Sequence, residues 1–341
     1  MKIGIIGYQG CGKSTLFSWL TGVPADPALA HTVQSAMAPI PDPRVEQLAA
    51  IYRPKKITLA ALELVDTPGL SRSHEGSAQK LALIREASAL VMVIAAFAGQ
   101  EAASDLTRLD DDLLLADLDI LTGRVRRLEE QLRKPRPGRE KDQEELDLLL
   151  PLLAELEAGR PLHRYPLSDA QRRAIKSFQL FSEKPRLVLF NTAEDDTDPS
   201  RFQGLVRPDQ EWVAFSVTLQ RDLAAMEPAE REAFCREMQV TPVDRDALLR
   251  QIMRVSGQKL FFTAGEKEVR TWLIRQGATA LDAAAQIHTD LARGFIRAEV
   301  MRVADLVRLG SERELKAAGL MRQEPRDYVI QDDDILLIRH N

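Results

Sequence analysis

The sequence predicts an α/β protein: an open, doubly wound sheet, interrupted by an inserted antiparallel helical hairpin and followed by a small C-terminal β-grasp module. Three observations carry this expectation. Several short apolar runs each end in a loop of small and polar residues, with helical patterns between them, as in sheets that bind ligands at the carboxyl ends of their strands. Between two of those runs, leucines recur at alternating four- and three-residue spacing. After residue 257 the order becomes two strand-like runs, a helix and further strands.

The first run, residues 2–6, reads as a strand and leads into Gly7-Tyr-Gln-Gly-Cys-Gly-Lys-Ser14. Glycine, four residues, then Gly-Lys-Ser is the phosphate-binding loop of P-loop NTPases. Its glycines let successive backbone N–H groups turn toward phosphate oxygens, and a helix starting near Lys13 adds its positive end. Gly10, Cys11, Gly12, Lys13, Ser14 and Thr15 are therefore candidate nucleotide-binding residues. Lys13 would reach the β- and γ-phosphates, a catalytic role, and Ser14 would offer its hydroxyl to Mg²⁺. Cys11 lies among phosphate-binding amides and near Lys13, conditions that favour a thiolate; its plainer reading is a small loop residue.

Residues 23–43 are rich in Pro, Ala and small polar residues without a sustained period, and read as a mobile loop. Thr32 lies there. In P-loop switches a loop threonine closes over Mg²⁺ and the γ-phosphate, so Thr32 is either a metal ligand or an ordinary loop threonine. Residues 58–65 form a strand-like run ending at Asp66-Thr67-Pro68-Gly69. Asp66 would hold Mg²⁺ through water, and the Gly69 N–H would sense the γ-phosphate, a second catalytic assignment. Many GTPases place a water-orienting glutamine next, where this chain has Leu70.

Residues 88–95 and 186–190 are buried-strand runs typical of a parallel sheet. The latter ends in Asn191-Thr192-Ala193-Glu194, where a GTPase would show Asn-Lys-x-Asp. Adenine offers an N6 donor and an N1 acceptor, which an Asn amide satisfies and a guanine-reading carboxylate does not. Asn191 and Glu194 are thus candidate base-binding residues, the other reading of Asn191 being a strand-end cap. Residues 212–217 look like the last strand, with Ser216 beside the base.

In the insertion, Leu114, Leu118, Leu121, Val125, Leu128 and Leu132 recur at alternating spacing, and Leu146, Leu149, Leu153 and Leu156 continue it after Pro135 to Gly138. This predicts two antiparallel helices. Residues 124–141 hold eight Lys or Arg against three Glu, so the tip is locally basic. A solvated helix face and an RNA-phosphate contact both fit such a run. Residues 223–235 and 245–255 read as helices closing the nucleotide domain. Beyond them, residues 260–264 and 269–274 read as paired strands, 280–291 as a helix, and 295–300 and 335–338 as further strands. His288 in that module is isolated and reads as structural.

With 341 residues, 45% hydrophobic and 28% charged, the chain is long and apolar enough for two or three domains. A formal net charge of −5 excludes a chain that binds nucleic acid through its overall charge, and no DNA partner is expected. Two cysteines, Cys11 and Cys235, exclude a disulfide framework and fit a reducing compartment. The chain enters a strand at once and its longest apolar run, residues 87–98, is too short to span a bilayer. These features predict a cytoplasmic location and no membrane partner.

Together the motifs resemble the YchF-type ribosome-binding ATPases, the Obg-like ATPase branch of the Obg family of P-loop switch proteins. The likeness runs over nearly the whole chain. Its most specific parts are Pro41-Asp42-Pro43-Arg44, Leu115-Ala116-Asp117-Leu118-Asp119, Asn191-x-x-Glu194 and the C-terminal stretches 262–270, 277–279, 287–290 and 294–298, which look like a TGS domain. The resemblance implies a nucleotide domain in two parts (1–108 and 165–257), a helical hairpin (109–164) and a TGS domain (258–341). It also implies ATP preferred over GTP, Mg²⁺ as cofactor, slow hydrolysis, and the ribosome as partner, through RNA or protein of its large subunit. Three features depart from the family: Gln9-Gly10-Cys11 replaces its usual Pro-Asn-Val, Asp66-Thr-Pro-Gly69 replaces Asp-Ile-Ala-Gly, and the loop after Phe97 lacks the histidine credited with assisting hydrolysis. A nucleotide-gated ribosome- or RNA-binding module with little hydrolysis, and a true GTPase, are the competing expectations.

Overall fold

The structure, a computed structural model, describes residues 1–26, 32–71, 77–97, 101–133, 137–196 and 198–341. Its contacts gather the chain into two units, Met1–Ala36 with Glu63–Val243, and Met37–Leu62 with Asp244–Asn341. Twelve strands are described: β1 (Lys2–Ile6), β2 (Gln34–Pro39), β3 (Ile57–Thr58), β4 (Ala61–Asp66), β5 (Ala89–Ala96), β6 (Arg186–Thr192), β7 (Trp212–Phe215), β8 (Gln258–Ala264), β9 (Val269–Arg275), β10 (Phe295–Arg302), β11 (Arg322–Glu324) and β12 (Asp334–His340).

The first sheet runs β2-β4-β1-β5-β6-β7. β1 lies parallel to β4 and β5, β5 to β6, and β6 to β7. The unbroken apolar run of β5 is buried along its length except at its last residue, as expected of a central parallel strand covered on both faces. Loops at the carboxyl ends of β1, β4 and β6 carry the motifs. Helix Lys13–Thr21 starts directly after Gly12, whose left-handed backbone closes the turn.

The hairpin has the predicted form, with different limits. Its helices are Ala102–Leu132 and Arg139–Glu157, so the first begins before residue 109 and its early turns pack Leu106, Leu109 and Leu113 beside β5 and β6 residues. Leu121, Val125 and Leu128 meet Leu146, Leu149, Leu153 and Leu156 in a leucine seam. The base is pinned by Asp117, which is fully buried and accepts hydrogen bonds from the Phe181 N–H (2.9 Å), the Ser182 N–H (2.6 Å) and Arg85 Nη1 (2.9 Å). Lys184 donates to the Arg85 and Ala87 carbonyls (2.9 and 2.6 Å), and burial pulls its ammonium down to about 8.

The second sheet runs β11-β10-β12-β8-β9-β3. β8 and β9 are antiparallel, β12 joins β8 in parallel, and β10 is antiparallel to β12 and β11, which is the β-grasp arrangement. Helix Ala280–Ile287 lays Ala280, Ala283 and Ala284 on one face; Val45 and Leu48 join Phe262, Val269 and Leu306 in a second cluster.

Several expectations are corrected. Contacts gather residues 244–257 and 37–62 with the C-terminal unit, although the sequence-based expectation places both in the nucleotide domain. The cause is packing: β3 pairs with β9, helix Pro43–Tyr52 contributes Val45 and Leu48, and Arg250 of helix Arg245–Val255 donates to the Pro41 carbonyl at 2.8 Å. The expected loop 23–43 contains β2, an edge strand that gains its order from β4 despite weak propensity. The run 58–65 is split at Leu59-Ala60, each half joining a different sheet. The helix expected at 223–235 becomes Val217–Ala225 and Pro228–Glu237, divided by Pro228. That expected at 280–291 breaks at His288, whose Nδ1 accepts from the Asp290 N–H and caps the next turn. No described helix is long and apolar enough to cross a membrane.

Asp117→Ala should remove about 3 kcal/mol of stability in denaturant titration, because it strands Arg85 and two buried amides. The depressed Lys184 makes a second prediction. Between pH 8 and the unfolded value of 10.5 the unfolded chain binds the extra proton, so this group's contribution to stability rises with pH across that window. Lys184→Met should flatten that segment of the stability–pH curve relative to wild type.

Candidate nucleotide site

Phosphate chemistry needs backbone donors, one cation and hard oxygen donors around a water-sized space. A cavity of about 310 Å³ opens beside the loop that follows β1, and Gly10, Lys13, Ser14, Thr32, Asp66 and Gly69 all line it. These six of the phosphate and metal candidates named from the sequence are brought to one place, whereas Cys11, Gly12 and Thr15 do not line the cavity. Thr32 is exposed at its rim, and residues 27–31 and 72–76 of the two expected switch loops lie outside the described residues.

Two backbone hydrogen bonds join the P-loop to the Asp66–Gly69 loop. The Leu70 N–H donates to the Gly7 carbonyl (3.1 Å), and the Gln9 N–H donates to the Leu70 carbonyl (3.0 Å). Gly69 comes so close that a Cβ there would stand 2.7 Å from the Gln9 Cα, so only glycine fits. Thr67 Oγ1 donates to the Ile5 carbonyl (2.7 Å) and Lys80 Nζ to the Gly69 carbonyl (2.7 Å), fixing the loop from both sides. Lys80, not singled out from the sequence, lines the cavity, as does Gln9, named there only as a departure from the family and given no role. Lys80 lies outside any motif and only the fold brings it back to Gly69, while Gln9 occupies a variable P-loop position.

Lys13 is buried and its ammonium donates to the Tyr8 carbonyl at 2.9 Å across the loop. Asp66 is buried as well, and its Oδ1 has no hydrogen-bond partner. Burial pushes its carboxyl above the usual carboxylate range, against the pull of the Ser14 hydroxyl and the Lys13 ammonium. Among the described residues no three His, Cys, Asp or Glu converge as a metal cage. An orphaned carboxylate oxygen beside a serine hydroxyl instead fits a hard divalent cation that takes its remaining ligands from phosphate and water. Of the two readings of Cys11, the structure favours the plain one over the thiolate: the thiol is buried and desolvation raises it, outweighing Lys13, whose Nζ stands 3.8 Å away.

The base-site candidates have structural work. Asn191 is buried, donates from Nδ2 to the Cys11 carbonyl (3.0 Å) and accepts at Oδ1 from the Val217 N–H (2.9 Å). It ties the P-loop to the start of helix Val217–Ala225. Gly12 faces it, and a Cβ at 12 would lie 2.3 Å from Asn191 Nδ2. Ser216 caps that helix, its Oγ accepting from the Leu219 N–H at 3.3 Å. Thr15 is half-buried in the first turn of helix Lys13–Thr21, and Glu194 is exposed in the turn after β6.

Comparison with known proteins gives this geometry a lineage. Two family models match, one described as "50S ribosome-binding GTPase" over residues 2–122, the other the YchF C-terminal model, described as a protein of unknown function, over residues 259–341. The chain is 33% identical to the ribosome-binding ATPase YchF of Haemophilus ducreyi, over all of this chain and 99% of that protein. The chain belongs to the YchF family. It is also 33% identical to Obg-like ATPase 1 of Oryza sativa subsp. japonica, over all of this chain and 92% of that YchF relative. The solved YchF GTPase of Schizosaccharomyces pombe shares the fold, with a TM-score of 0.85 at 24% identity over 99% of this chain and 97% of that one.

Gly12→Ala should expel the Asn191 amide from its place and disturb the P-loop, lowering stability by about 1–3 kcal/mol and abolishing nucleotide binding, as read by thermal shift with and without Mg·ATP.

Proposed function

We propose that the chain is a cytoplasmic ATP-binding switch that hydrolyses ATP slowly and associates with the ribosome. The observation that carries this reading is the single cavity lined by Lys13, Ser14, Thr32, Asp66 and Gly69, in a chain of a family whose relatives bear the name ribosome-binding ATPase. Lys13 neutralises the β- and γ-phosphates, amides of Gly10, Cys11, Gly12, Ser14 and Thr15 cradle them, and Gly69 meets the γ-phosphate. Ser14 and Asp66, with Thr32 on closure, hold Mg²⁺, which supplies charge neutralisation at the phosphates. Asn191, Glu194 and Ser216 form the adenine end. Asn191 supports this through its bond to the Cys11 carbonyl, which couples base and phosphate halves, and Glu194 through its exposure past β6.

The ribosome reading, with its large subunit as the docking partner, draws support from the relatives' names and the "50S" family model. The basic hairpin contributes less free charge than its sequence implies, because Arg124 pairs with Glu145 (2.5 Å) and Arg126 with Glu130 (3.3 Å). Residues 134–136 of its tip, including Arg136, lie outside the described residues; Arg139 is exposed. One observation favours a second reading, a nucleotide-gated ribosome-binding module without turnover: Leu70, at the position of the usual catalytic glutamine, is buried in the core.

Titration calorimetry with Mg·ATP and Mg·GTP tests the proposal. ATP should bind more tightly, and Lys13→Ala should abolish binding. Tighter GTP binding would make the chain a GTPase, and wild-type affinity in Lys13→Ala would overturn the phosphate site itself.

A further inference from the structure

The proposed reaction needs a group that orients water at the γ-phosphate, and Leu70 cannot serve, since its side chain is buried among Ile6, Tyr8 and Leu81. Among the described residues, the other polar side chains around Gly69 have assigned partners or roles. Thr67 donates to the Ile5 carbonyl and Lys80 to the Gly69 carbonyl. Gln34 accepts from the Asp26 N–H at 3.1 Å and donates to the Pro24 carbonyl at 3.2 Å. Asp66 faces Ser14 and Lys13, and its unpaired Oδ1 is taken by the proposed Mg²⁺ role. Gln9 is different: it is exposed, lines the same cavity, and is rooted on Gly69, with its N and Cα 2.9 and 2.7 Å from where a Gly69 Cβ would stand. Its backbone is held there by its N–H, which donates to the Leu70 carbonyl.

We infer that Gln9, in the P-loop, takes the water-orienting role that Leu70 leaves vacant; this rests on the proposed ATPase reading. A carboxamide can accept a hydrogen bond from water at Oε1 and donate from Nε2 to a phosphoryl oxygen, which lines up the attacking water without removing its proton. The water oxygen bonds to the γ-phosphorus as the bond from that phosphorus to the ADP oxygen breaks. The water's proton leaves on the inorganic phosphate.

The test compares wild type, Gln9→Ala and Gln9→Asn for Mg·ATP affinity, single-turnover phosphate release, and trapping of Mg·ADP by aluminium fluoride, which mimics the in-line transition state. Gln9→Ala should bind Mg·ATP within about twofold of wild type, release phosphate about 10- to 100-fold more slowly and lose fluoride trapping; Gln9→Asn, keeping a shorter amide, should fall between. Unchanged turnover in Gln9→Ala would overturn the inference and leave the ATPase reading standing. A parallel fall of affinity and rate in both variants would make Gln9 a structural part of the loop and overturn it too. A wild-type protein that binds Mg·ATP without hydrolysing it would defeat the ATPase reading and this inference together.

Discussion

The two backbone hydrogen bonds between the P-loop and the segment after Gly69 organise the site. They carry β1 and β4 beyond the sheet as a short bridge between Tyr8 and Leu70, so that the P-loop and the Asp66–Gly69 loop are held together. Each bond is worth only about 1 kcal/mol net, but breaking either would leave a buried backbone group unpaired. The close approach of Gly69 to Gln9 follows from this bridge, as does the convergence of Lys13, Ser14 and Asp66 on one cavity.

The same bridge explains why charge can be held in a buried place. Lys13 and Asp66 are both withdrawn from water, and neither has a full complement of protein partners: Lys13 leans on a carbonyl and Asp66 keeps an oxygen unpaired. In a purely structural site that would be a fault. Under the proposed function the missing partners are those that a phosphate chain and its cation would bring, so binding would relieve a cost that folding left in place.

Asn191 and Tyr8 extend the site into the body of its unit. Asn191 links the Cys11 carbonyl to the amide that opens helix Val217–Ala225. Tyr8 reaches Asp112 of the long hairpin helix at 3.0 Å, and burial together with that carboxylate holds its phenol protonated. Lower on that helix, Asp117 gathers Arg85 and the amides of Phe181 and Ser182. The hairpin is therefore attached through buried polar groups and projects its leucine seam from a rigid base.

Local sequence determined what local physics can determine. Glycine spacing and the Gly-Lys-Ser triplet specify a phosphate loop because only backbone amides in that turn can cradle an anion, and the buried-strand runs and leucine spacing specify a parallel sheet and a hairpin by periodicity alone. Helix Pro43–Tyr52, which was not named from the sequence, also carries a local signal: Asp42 caps it and the missing N–H of Pro43 costs nothing at its first position. Tertiary structure decided the rest. β2 and the split of the run at Leu59-Ala60 depend on which sheet edge each half meets, and the membership of residues 37–62 and of helix Arg245–Val255 depends on contacts more than a hundred residues away. Cys11 looked activated beside Lys13, yet desolvation dominates once the loop is packed. Gln9 and Lys80 acquire meaning only where the chain returns to Gly69, because a side chain's chemistry is written in the sequence but its neighbours are not.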